Sequence, residues 1–493
     1  MSVRQDLTGM LKFRAVQLFA LTALIVGVGS ECFITKLAVL DLDVWWHLSV
    51  GDWIVQHQAL PHSGILSRTA ADRPWMAYSW GYEVLLARSY DWLGFVGMAL
   101  FGTILTIGVA LALFWMLQRL SGRFWLAWTL TIVACSAFLF NIMPRPVFFT
   151  MALYTITLTL VLRAQTTGRM RPFYWLPLVF VIWANVHIQF VYGLFALGLL
   201  AGLNLLQRIA MRLRLYPSFL LEPTLPTANL CAVLGACTLA TCVGPYSFHL
   251  YRVLFAYSSS KVFYTMITEL QALSFQGVSH FLELLLAAGA FFAVGWKKKL
   301  DPFKLALLVT ASIFAFRTTR DAWFLCISAA AIIADFPAPE DERDRQISFR
   351  EWAGVAAVAV VMLLLVARNT DFNTRGLDQA ISGQFPVDAV NFLRRNPVGG
   401  PLYNSFDWGG FLIFYLPQYP VAIDGRGDLY GEELCGKFYA VEGANAPYQD
   451  DPNLAESGLV ILKNTVPLAR VLPTDRNFRV IYHDDIATVL ARN

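Results

Sequence analysis

Eleven apolar runs divide the first 370 or so residues of the chain, and many approach the length of a membrane span. They lie near Val16–Thr35, Phe95–Met116, Phe124–Phe140, Phe148–Leu162, Tyr174–Trp183, Val191–Leu206, Ala228–Val243, Phe281–Val294, Phe303–Phe316, Ala322–Ala334 and Trp352–Val366. A helix needs about 20 mainly apolar residues to cross a bilayer. The composition agrees, since 57% of residues are hydrophobic and 15% are charged. The sequence therefore predicts an α-helical polytopic membrane protein with about eleven transmembrane helices.

Basic residues cluster in every second connection between these runs, on the same side as the N-terminal Arg4, Lys12 and Arg14. The clusters are Arg119 and Arg123; Arg163, Arg169 and Arg171; Arg208, Arg212 and Arg214; Lys297, Lys298 and Lys299; Arg343, Arg345 and Arg350. Because Lys and Arg collect in cytoplasmic loops, the alternation predicts a cytoplasmic N-terminus. The other connections and the C-terminal segment then lie outside.

The last 120 or so residues change in character, because apolar segments shorten and turn residues appear. Strand-like pieces are Leu402–Asn404, Val421–Asp424, Leu459–Leu462, Arg479–Tyr482 and Ile486–Ala491; helix-like pieces are Val387–Arg395, Phe411–Leu416 and a segment near Val466–Val471. Strands that alternate with helices predict a small α/β domain. We expect a transmembrane domain over residues 1–368, including a first outer loop over 36–92, and an extracytoplasmic α/β domain over 369–493.

The first outer loop opens with an acidic motif directly after the first apolar run, Asp41-Leu42-Asp43-Val44-Trp45-Trp46-His47-Leu48. If the segment is extended, Asp41 and Asp43 point to the same face. Such a pair suits a divalent cation, or one carboxylate suits a general base. The alternative is a solvated loop start or an N-cap of the next helix.

Six tryptophans make this loop unusually aromatic, and the segment from Trp45 to His57 predicts an amphipathic helix on the membrane surface. The tryptophans are Trp45, Trp46, Trp53, Trp75, Trp80 and Trp92. They favour an interface belt, in which each ring is half buried and its N–H group meets water.

Cationic and polar residues at span ends fall on the predicted outer face, against the positive-inside bias. They are Arg145, Asn185, His187, Arg317 and Arg320. Arginine binds phosphate well because its guanidinium donates two parallel hydrogen bonds, so these residues predict a membrane-resident anion such as a lipid phosphate. The alternatives are arginines that extend to lipid headgroups and a structural, hydrogen-bonded histidine.

Two motifs of the C-terminal domain are further candidates for binding. The segment Trp408-Gly409-Gly410 predicts the start of a helix, whose N–H groups bind anions. The segment Asp424-Gly425-Arg426 predicts the end of a strand, where ligands often bind in α/β sheets. In the alternative interpretation the glycines form a turn, and Asp424 pairs with Arg426 to hold it.

The combination of a first span, an acidic motif at the start of a long outer loop and an extracytoplasmic C-terminal domain resembles the GT-C membrane glycosyltransferases. More narrowly, the chain resembles a branch of bacterial GT-C proteins. The shared segments are the first-loop motif, Trp183-Ala184-Asn185-Val186-His187, Tyr403-Asn404-Ser405-Phe406-Asp407-Trp408-Gly409-Gly410 and Ile423-Asp424-Gly425-Arg426.

This resemblance implies a transferase of the bacterial inner membrane that takes a sugar from a polyprenyl-phosphate lipid and transfers it on the outer face. Asp41 or Asp43 is then the base or positions the acceptor, and His47 lies beside them. A divalent cation, Mg²⁺ or Mn²⁺, at Asp41 and Asp43 is consistent with some members of the superfamily. Arg145, Arg317 and Arg320 become candidates for the lipid phosphate on electrostatic grounds alone. The acceptor is a glycan, lipid or protein that the sequence does not name.

Two other functions fit parts of the same pattern. One is a transporter or flippase of a lipid-linked or anionic solute, although such proteins often carry internal repeats and mid-membrane charges, which the sequence lacks. The other is a non-catalytic GT-C-shaped assembly protein. The net charge of +4 gives no indication of nucleic-acid binding. The seven cysteines form no CxxC pair, so we expect neither a disulfide framework nor a zinc site.

Overall fold

The computed structural model describes residues 2–139, 143–259, 268–336 and 343–493. Its helices are α1 Ser2–Thr35, α2 Leu37–Leu40, α3 Val44–His57, α4 Trp80–Ser121, α5 Phe124–Phe138, α6 Val147–Thr167, α7 Leu176–Val186, α8 Val191–Arg212, α9 Thr227–Ala240, α10 Leu250–Ser259, α11 Val278–Gly295, α12 Pro302–Arg317, α13 Ala322–Ala334, α14 Phe349–Asn369, α15 Thr374–Gln384, α16 Val387–Arg395, α17 Gly409–Tyr415, α18 Gly427–Glu442, α19 Pro452–Ala455 and α20 Leu468–Val471. Every predicted apolar run overlaps one of these helices.

Six helical segments among the described residues are long and apolar enough to cross a membrane. They are Phe13–Leu40, Trp80–Ser121, Val147–Thr167, Ile188–Arg212, Val278–Gly295 and Phe349–Asn369. Two further apolar helices, α5 and α9, are shorter. The chain is therefore a multi-pass, mainly helical membrane protein, whereas the predicted count of eleven spans is not confirmed.

Contacts group the chain into two compact units. The helical unit comprises Met1–Thr35, Gly102–Ser247 and Ile267–Thr370, and the mixed unit comprises Lys36–Phe101, Phe248–Met266 and Asp371–Asn493. The predicted domain boundary at residue 368 stays a prediction. The contacts add that the first outer loop groups with the C-terminal segment, although 270 or more residues separate them in the chain.

In the helical unit, α1 packs against α14, and α11 packs against α5 and α13. The α1–α14 contact includes an ion pair in which Arg14 Nε donates to Glu351 Oε1 at 2.9 Å. Glu351 also accepts from the backbone N–H of Ser348, while the Ser348 hydroxyl accepts from Glu351 N–H, so the pair forms a capping box at the start of α14. This reciprocal bonding satisfies backbone donors that a helix start leaves unpaired.

The mixed unit contains a four-stranded sheet of order β1-β2-β4-β3. Its strands are β1 Leu402–Asn404, β2 Leu459–Lys463, β3 Phe478–His483 and β4 Ala487–Arg492. β1 is parallel to β2, and the other pairs are antiparallel. Four predicted strands and the predicted α/β character of the C-terminal segment are thus confirmed.

The fifth predicted strand, Val421–Asp424, is wrong, because Val421 makes only an isolated bridge to Ser67. The Asn404 side chain takes the place of a strand partner. Its amide donates to the carbonyl of Ile423 at 2.8 Å, and its oxygen accepts from Ala422 N–H at 2.9 Å. A buried segment that lacks a neighbouring strand thereby keeps its backbone groups paired.

The core of the mixed unit is built around Trp45, which is fully buried. One ring from helix α4 and four from the C-terminal segment surround it at centroid distances of 5.3–5.8 Å; they are Phe95, Phe385, Phe411, Phe414 and Tyr415. Trp46 and Trp75 are also buried, whereas Trp92 is 81% exposed. The predicted interface belt is therefore wrong for the three buried rings, since protein side chains take the place of lipid.

We expect Asn404→Leu to destabilise the mixed unit, because the Ala422 N–H and the Ile423 carbonyl would be left buried and unpaired, at a cost of about 1–3 kcal/mol each. Thermal unfolding of the purified protein in detergent measures this loss. Asn396→Leu is the matched control, since the exposed Asn396 amide donates to the carbonyl of Phe392 in the helix that it follows. Equal melting temperatures for the two variants would contradict the role assigned to Asn404.

Candidate functional site

The two first-loop carboxylates lie in a turn and not in the extended segment that would place both on one face. Asp41 is extended, but Asp43 has helical backbone angles of φ −84° and ψ −22°. The Asp43 N–H donates to Asp41 Oδ1 at 3.1 Å. Aspartate commonly bonds the backbone two residues ahead in this way. Asp41 is 1% exposed, while Asp43 stays partly exposed, so the two carboxylates differ in environment.

Asp43 occupies the N-cap position of α3, but its side chain makes no capping bond. Its Oδ1 instead accepts from the indole N–H of Trp46 at 3.1 Å. The backbone carbonyl of Asp43 accepts the first helical bond, from His47 N–H at 3.1 Å. The N-cap alternative therefore describes the backbone position only, and Trp46 orients the carboxylate.

His47 is buried and paired with an acidic residue that the sequence interpretation missed. Its Nδ1 lies 3.0 Å from Oε1 of Glu83, which is 1% exposed. The ring of Trp46 covers His47 at a centroid distance of 3.5 Å, and Tyr82 packs edge-on at 5.3 Å. In the sequence, Glu83 is an isolated glutamate shortly before an apolar run, and this position was the one indication that it could be important. His47 thus connects the start of α3 with the start of α4.

Arg426 and Asp424 form a fully buried, bidentate ion pair. Arg426 Nε donates to Asp424 Oδ1 at 2.8 Å, and a terminal nitrogen donates to Oδ2 at 2.7 Å. The other terminal nitrogen donates to the carbonyl of Ile65 at 2.8 Å. Burial lowers the pKa of Arg426, but the Asp424 carboxylate outweighs it and raises the pKa above its ordinary value. This arrangement matches the turn-holding alternative for these residues.

Trp75 and Tyr430 complete the surroundings of this ion pair. The Arg426 guanidinium lies 4.9 Å from the centre of the Trp75 ring, and the Trp75 N–H donates to Asp428 Oδ2 at 3.0 Å. The Tyr430 hydroxyl donates to Asp424 Oδ2 at 2.7 Å. Each of these side chains uses its polar atoms inside the mixed unit.

Trp408 precedes α17 as predicted, but the helix start is covered by protein. Trp408 is 1% exposed. A methyl group added at Gly409 would lie 2.0 Å from the carbonyl oxygen of Ile423, and one at Gly410 would lie 3.0 Å from the carbonyl oxygen of Leu42. The two glycines thus allow close packing between α17, the 423–424 segment and the first loop.

The candidate arginines lie in the helical unit. Arg145 pairs with Glu269, with a nitrogen–oxygen distance of 3.2 Å. The carbonyl of Glu269 accepts from the Thr319 hydroxyl at 2.9 Å, and Thr319 N–H donates to Gln271. The segment around Glu269 therefore connects Arg145 with the turn that carries Arg320.

This turn ends at Asp321, a buried carboxylate that the sequence interpretation did not select. It accepts hydrogen bonds from the hydroxyls of Tyr192 and Thr318. Burial raises the pKa of Asp321 above its ordinary value, and these hydrogen bonds and the nearby Arg320 and Arg317 offset only part of the increase. The two arginines thus lie within electrostatic reach of one buried carboxylate.

His187 and Asn185 have structural partners in the helical unit. His187 Nδ1 lies 2.8 Å from the hydroxyl of Thr150, which also accepts from the Trp183 N–H. Burial and the charge of Arg320 lower the pKa of His187 to about 3, so the ring is neutral. The Asn185 amide donates to the carbonyl of Val243 at 2.8 Å and ties α7 to the end of α9.

Within the described ranges, no group of three or more His, Cys, Asp or Glu side chains is placed to hold a metal ion. Asp41 and Asp43 alone supply few ligands. Mg²⁺ is nevertheless often held by one or two carboxylates, with water and substrate phosphate completing the shell. Since Asp43 is partly exposed and Asp41 is buried, a Mg²⁺ ion at this motif would depend on water and substrate phosphate for most of its shell.

We expect the wild-type protein to lose stability between about pH 4 and 6 as Asp428 ionises, and we expect Asp428→Asn to remove this loss. Burial raises the pKa of Asp428 to about 6, although the Trp75 bond and Arg426 lower it and Asp424 raises it. The folded chain binds this proton more tightly than the unfolded chain, whose aspartates titrate near pH 4. The protonated Asp428 therefore costs the folded chain nothing below about pH 4. As the pH rises from about 4 to 6, the buried carboxyl group loses its proton and the free energy of unfolding falls.

The measurement is the melting temperature of Asp428→Asn minus that of the wild type, which should increase between pH 4 and 6 and then level off. Asp450→Asn, which removes an exposed carboxylate of the same unit, serves as the control and should show no such trend. A constant difference for Asp428→Asn would contradict the shifted pKa.

No protein-family model matches the sequence, and no curated protein matches it. Among solved structures, the oligosaccharyltransferase AglB from Archaeoglobus fulgidus, in complex with an inhibitory peptide and a dolichol phosphate, aligns over 92% of this chain and 70% of its own, with 9% identity and a TM-score of 0.56. The oligosaccharyltransferase from the same organism with a tethered acceptor peptide aligns over 90% and 69%, with 11% identity and a TM-score of 0.52.

ArnT from Cupriavidus metallidurans, bound to undecaprenyl phosphate, aligns over 95% of this chain and 97% of its own, with 14% identity and a TM-score of 0.47. The structural likeness that we use rests on the oligosaccharyltransferases, and at such low identity it concerns the fold. The chain has the fold of these oligosaccharyltransferases, and this is the fold that the resemblance to the GT-C glycosyltransferases implies.

Proposed function

We propose that the chain is a membrane glycosyltransferase that moves a sugar from a polyprenyl-phosphate lipid to an acceptor on the outer face of the membrane. The observation that carries this proposal is Asp43, a partly exposed carboxylate held by Trp46 at the start of the first loop of a GT-C fold. The buried Asp41 holds the turn. The complex of AglB with a dolichol phosphate supports a lipid phosphate as the carrier.

In the proposed reaction Asp43 is the general base. It takes the proton from the acceptor nucleophile while the bond from that nucleophile to the anomeric carbon forms. The bond between the anomeric carbon and the phosphate oxygen breaks, and the polyprenyl phosphate leaves with the electron pair. Because phosphate is already a good leaving group, the protein needs no nucleophilic serine or cysteine.

On electrostatic grounds, Arg145, Arg317 and Arg320 of the helical unit are proposed to bind the phosphate of the lipid. Preorganised positive groups stabilise charge that develops in a transition state. The ion pair of Arg145 with Glu269 and the buried Asp321 beside the other two arginines would hold the cations in place before the lipid binds. In the alternative in which Asp41 and Asp43 hold a Mg²⁺ or Mn²⁺ ion, the ion would supply further positive charge, and Asp43 would position the acceptor instead of taking its proton.

The proposed location is the inner membrane of a bacterium, with the N-terminus in the cytoplasm and the C-terminal domain outside. The alternation of basic clusters supports this orientation. The acceptor is proposed to be a glycan, lipid or protein of the cell envelope.

We expect Asp43→Asn to reduce sugar transfer by about 100-fold or more, because general-base catalysis contributes about 10²–10⁴-fold. The assay supplies undecaprenyl-phosphate-linked sugars and a cell-envelope acceptor fraction to the protein in liposomes, and measures released undecaprenyl phosphate. Asp52→Asn is the matched control, since it removes the same charge from α3 at a side chain whose hydrogen bond is to Gln56. Full activity of a folded Asp43→Asn variant would refute the assignment of the base.

The Arg317→Gln/Arg320→Gln variant should bind undecaprenyl phosphate at least about tenfold more weakly, because a hydrogen bond to a charged group contributes about 1.5–3 kcal/mol. Native mass spectrometry of the detergent-solubilised protein measures this binding directly. Arg368→Gln, which removes an exposed cation at the C-terminal end of α14, controls for nonspecific attraction. Unchanged binding by the double variant would exclude these arginines from the phosphate site.

A further inference from the structure

Gly425 lies directly against the carboxylate that we propose as the base. A methyl group added at Gly425 would lie 1.9 Å from Asp43 Oδ1 and 3.1 Å from the indole nitrogen of Trp46. The backbone of Gly425 therefore packs against the hydrogen bond between Asp43 and Trp46. Only a residue without a side chain leaves room for this bond.

The conformation of Gly425 does not itself require glycine. Five glycines of the described chain have positive φ angles that disfavour other residues, namely Gly94, Gly122, Gly168, Gly400 and Gly431, and Gly425 is not among them. Alanine would therefore fit the backbone angles at this position. The constraint comes from the Asp43 side chain and not from backbone strain.

The segment that carries Gly425 is fixed on both sides. Before it, Asn404 holds the backbone of residues 422 and 423. After it, Arg426 binds Asp424 and the first-loop carbonyl of Ile65, both as buried contacts. A segment held in this way cannot move aside easily, so it forms a fixed wall beside Asp43.

We propose that Gly425, supported by the Asp424–Arg426 ion pair, is a positioning residue for Asp43. The backbone of Gly425 restricts the rotation of the Asp43 carboxylate and keeps Oδ1 on the Trp46 N–H. Oδ2 of Asp43 is then held in one orientation. The C-terminal domain thereby completes the environment of a first-loop residue. This inference rests on the proposed role of Asp43 as the base.

The test is a double-mutant cycle with Gly425→Ala, Asp43→Ala and the combined variant, with melting temperature and sugar transfer as the two measurements. Gly425→Ala should lower the melting temperature when Asp43 is present and much less when Asp43 is alanine, because the colliding carboxylate is then absent. Such non-additivity is the signature of a direct contact. Gly383→Ala, at a helical glycine with no neighbour within 4 Å, is the control.

In the transfer assay, Gly425→Ala should lower kcat about 100-fold, since a displacement of about 1 Å of a reacting group has this effect. The KM for the lipid-linked sugar should stay within about twofold of the wild type, which a general loss of folding would not produce. The combined variant should be no less active than Asp43→Ala alone.

Two results would overturn the positioning role separately from the proposed function. One is an equal loss of stability from Gly425→Ala in both backgrounds. The other is wild-type turnover by Gly425→Ala in an assay where Asp43→Asn is inactive. If the wild-type protein turns over no lipid-linked sugar, or if Asp43→Asn is fully active, the proposed function fails and the positioning role fails with it.

Discussion

The buried ion pair between Asp424 and Arg426 is the interaction on which the rest of the mixed unit depends. Both side chains are fully inaccessible, and removing two charges from water costs several kcal/mol per ion unless each is well paired. Here the pairing is bidentate, and the remaining donors and acceptors bind Ile65 and Tyr430. Loss of either partner would leave an uncompensated charge, so the segment has one favourable arrangement.

That single arrangement has consequences on both sides of the pair. Arg426 packs on Trp75 and accounts for the burial of a residue from the first loop. Gly425, between the two charged residues, is brought against Asp43. The aromatic cluster around Trp45 also joins the first loop to the C-terminal segment, through apolar packing that has no directional requirement. The ion pair supplies orientation, and the aromatic rings supply apolar burial.

Local patterns in the sequence predicted much of the fold. The helical runs, β1 to β4 and helix α16 were confirmed because periodicity and turn residues act over short distances. The burial of Trp45 was not predictable in this way, since an aromatic ring looks the same in sequence whether lipid or protein covers it. Val421–Asp424 has the composition of a strand, but it lies beside the Asn404 side chain instead of a strand.

The candidate site shows the same division between local and distant information. The sequence drew attention to Asp43, His47 and Arg426 because each stands in an unusual polar motif. It missed Glu83, and it interpreted Gly425 only as part of a turn, although these residues contact partners 36 and 382 positions away. No periodicity or motif reports such contacts, because they arise only when the chain is folded.

The separation of roles that we propose for Asp41 and Asp43 rests on the turn. In an extended segment both carboxylates would face one ligand and would repel each other unless a cation lay between them. In the observed turn, Asp41 Oδ1 accepts the Asp43 N–H, so the charge of Asp41 is used to orient the backbone that follows. Asp43 is then placed at the start of α3 with one oxygen on Trp46. A base needs access to its substrate and a fixed direction, and of the two aspartates Asp43 combines both.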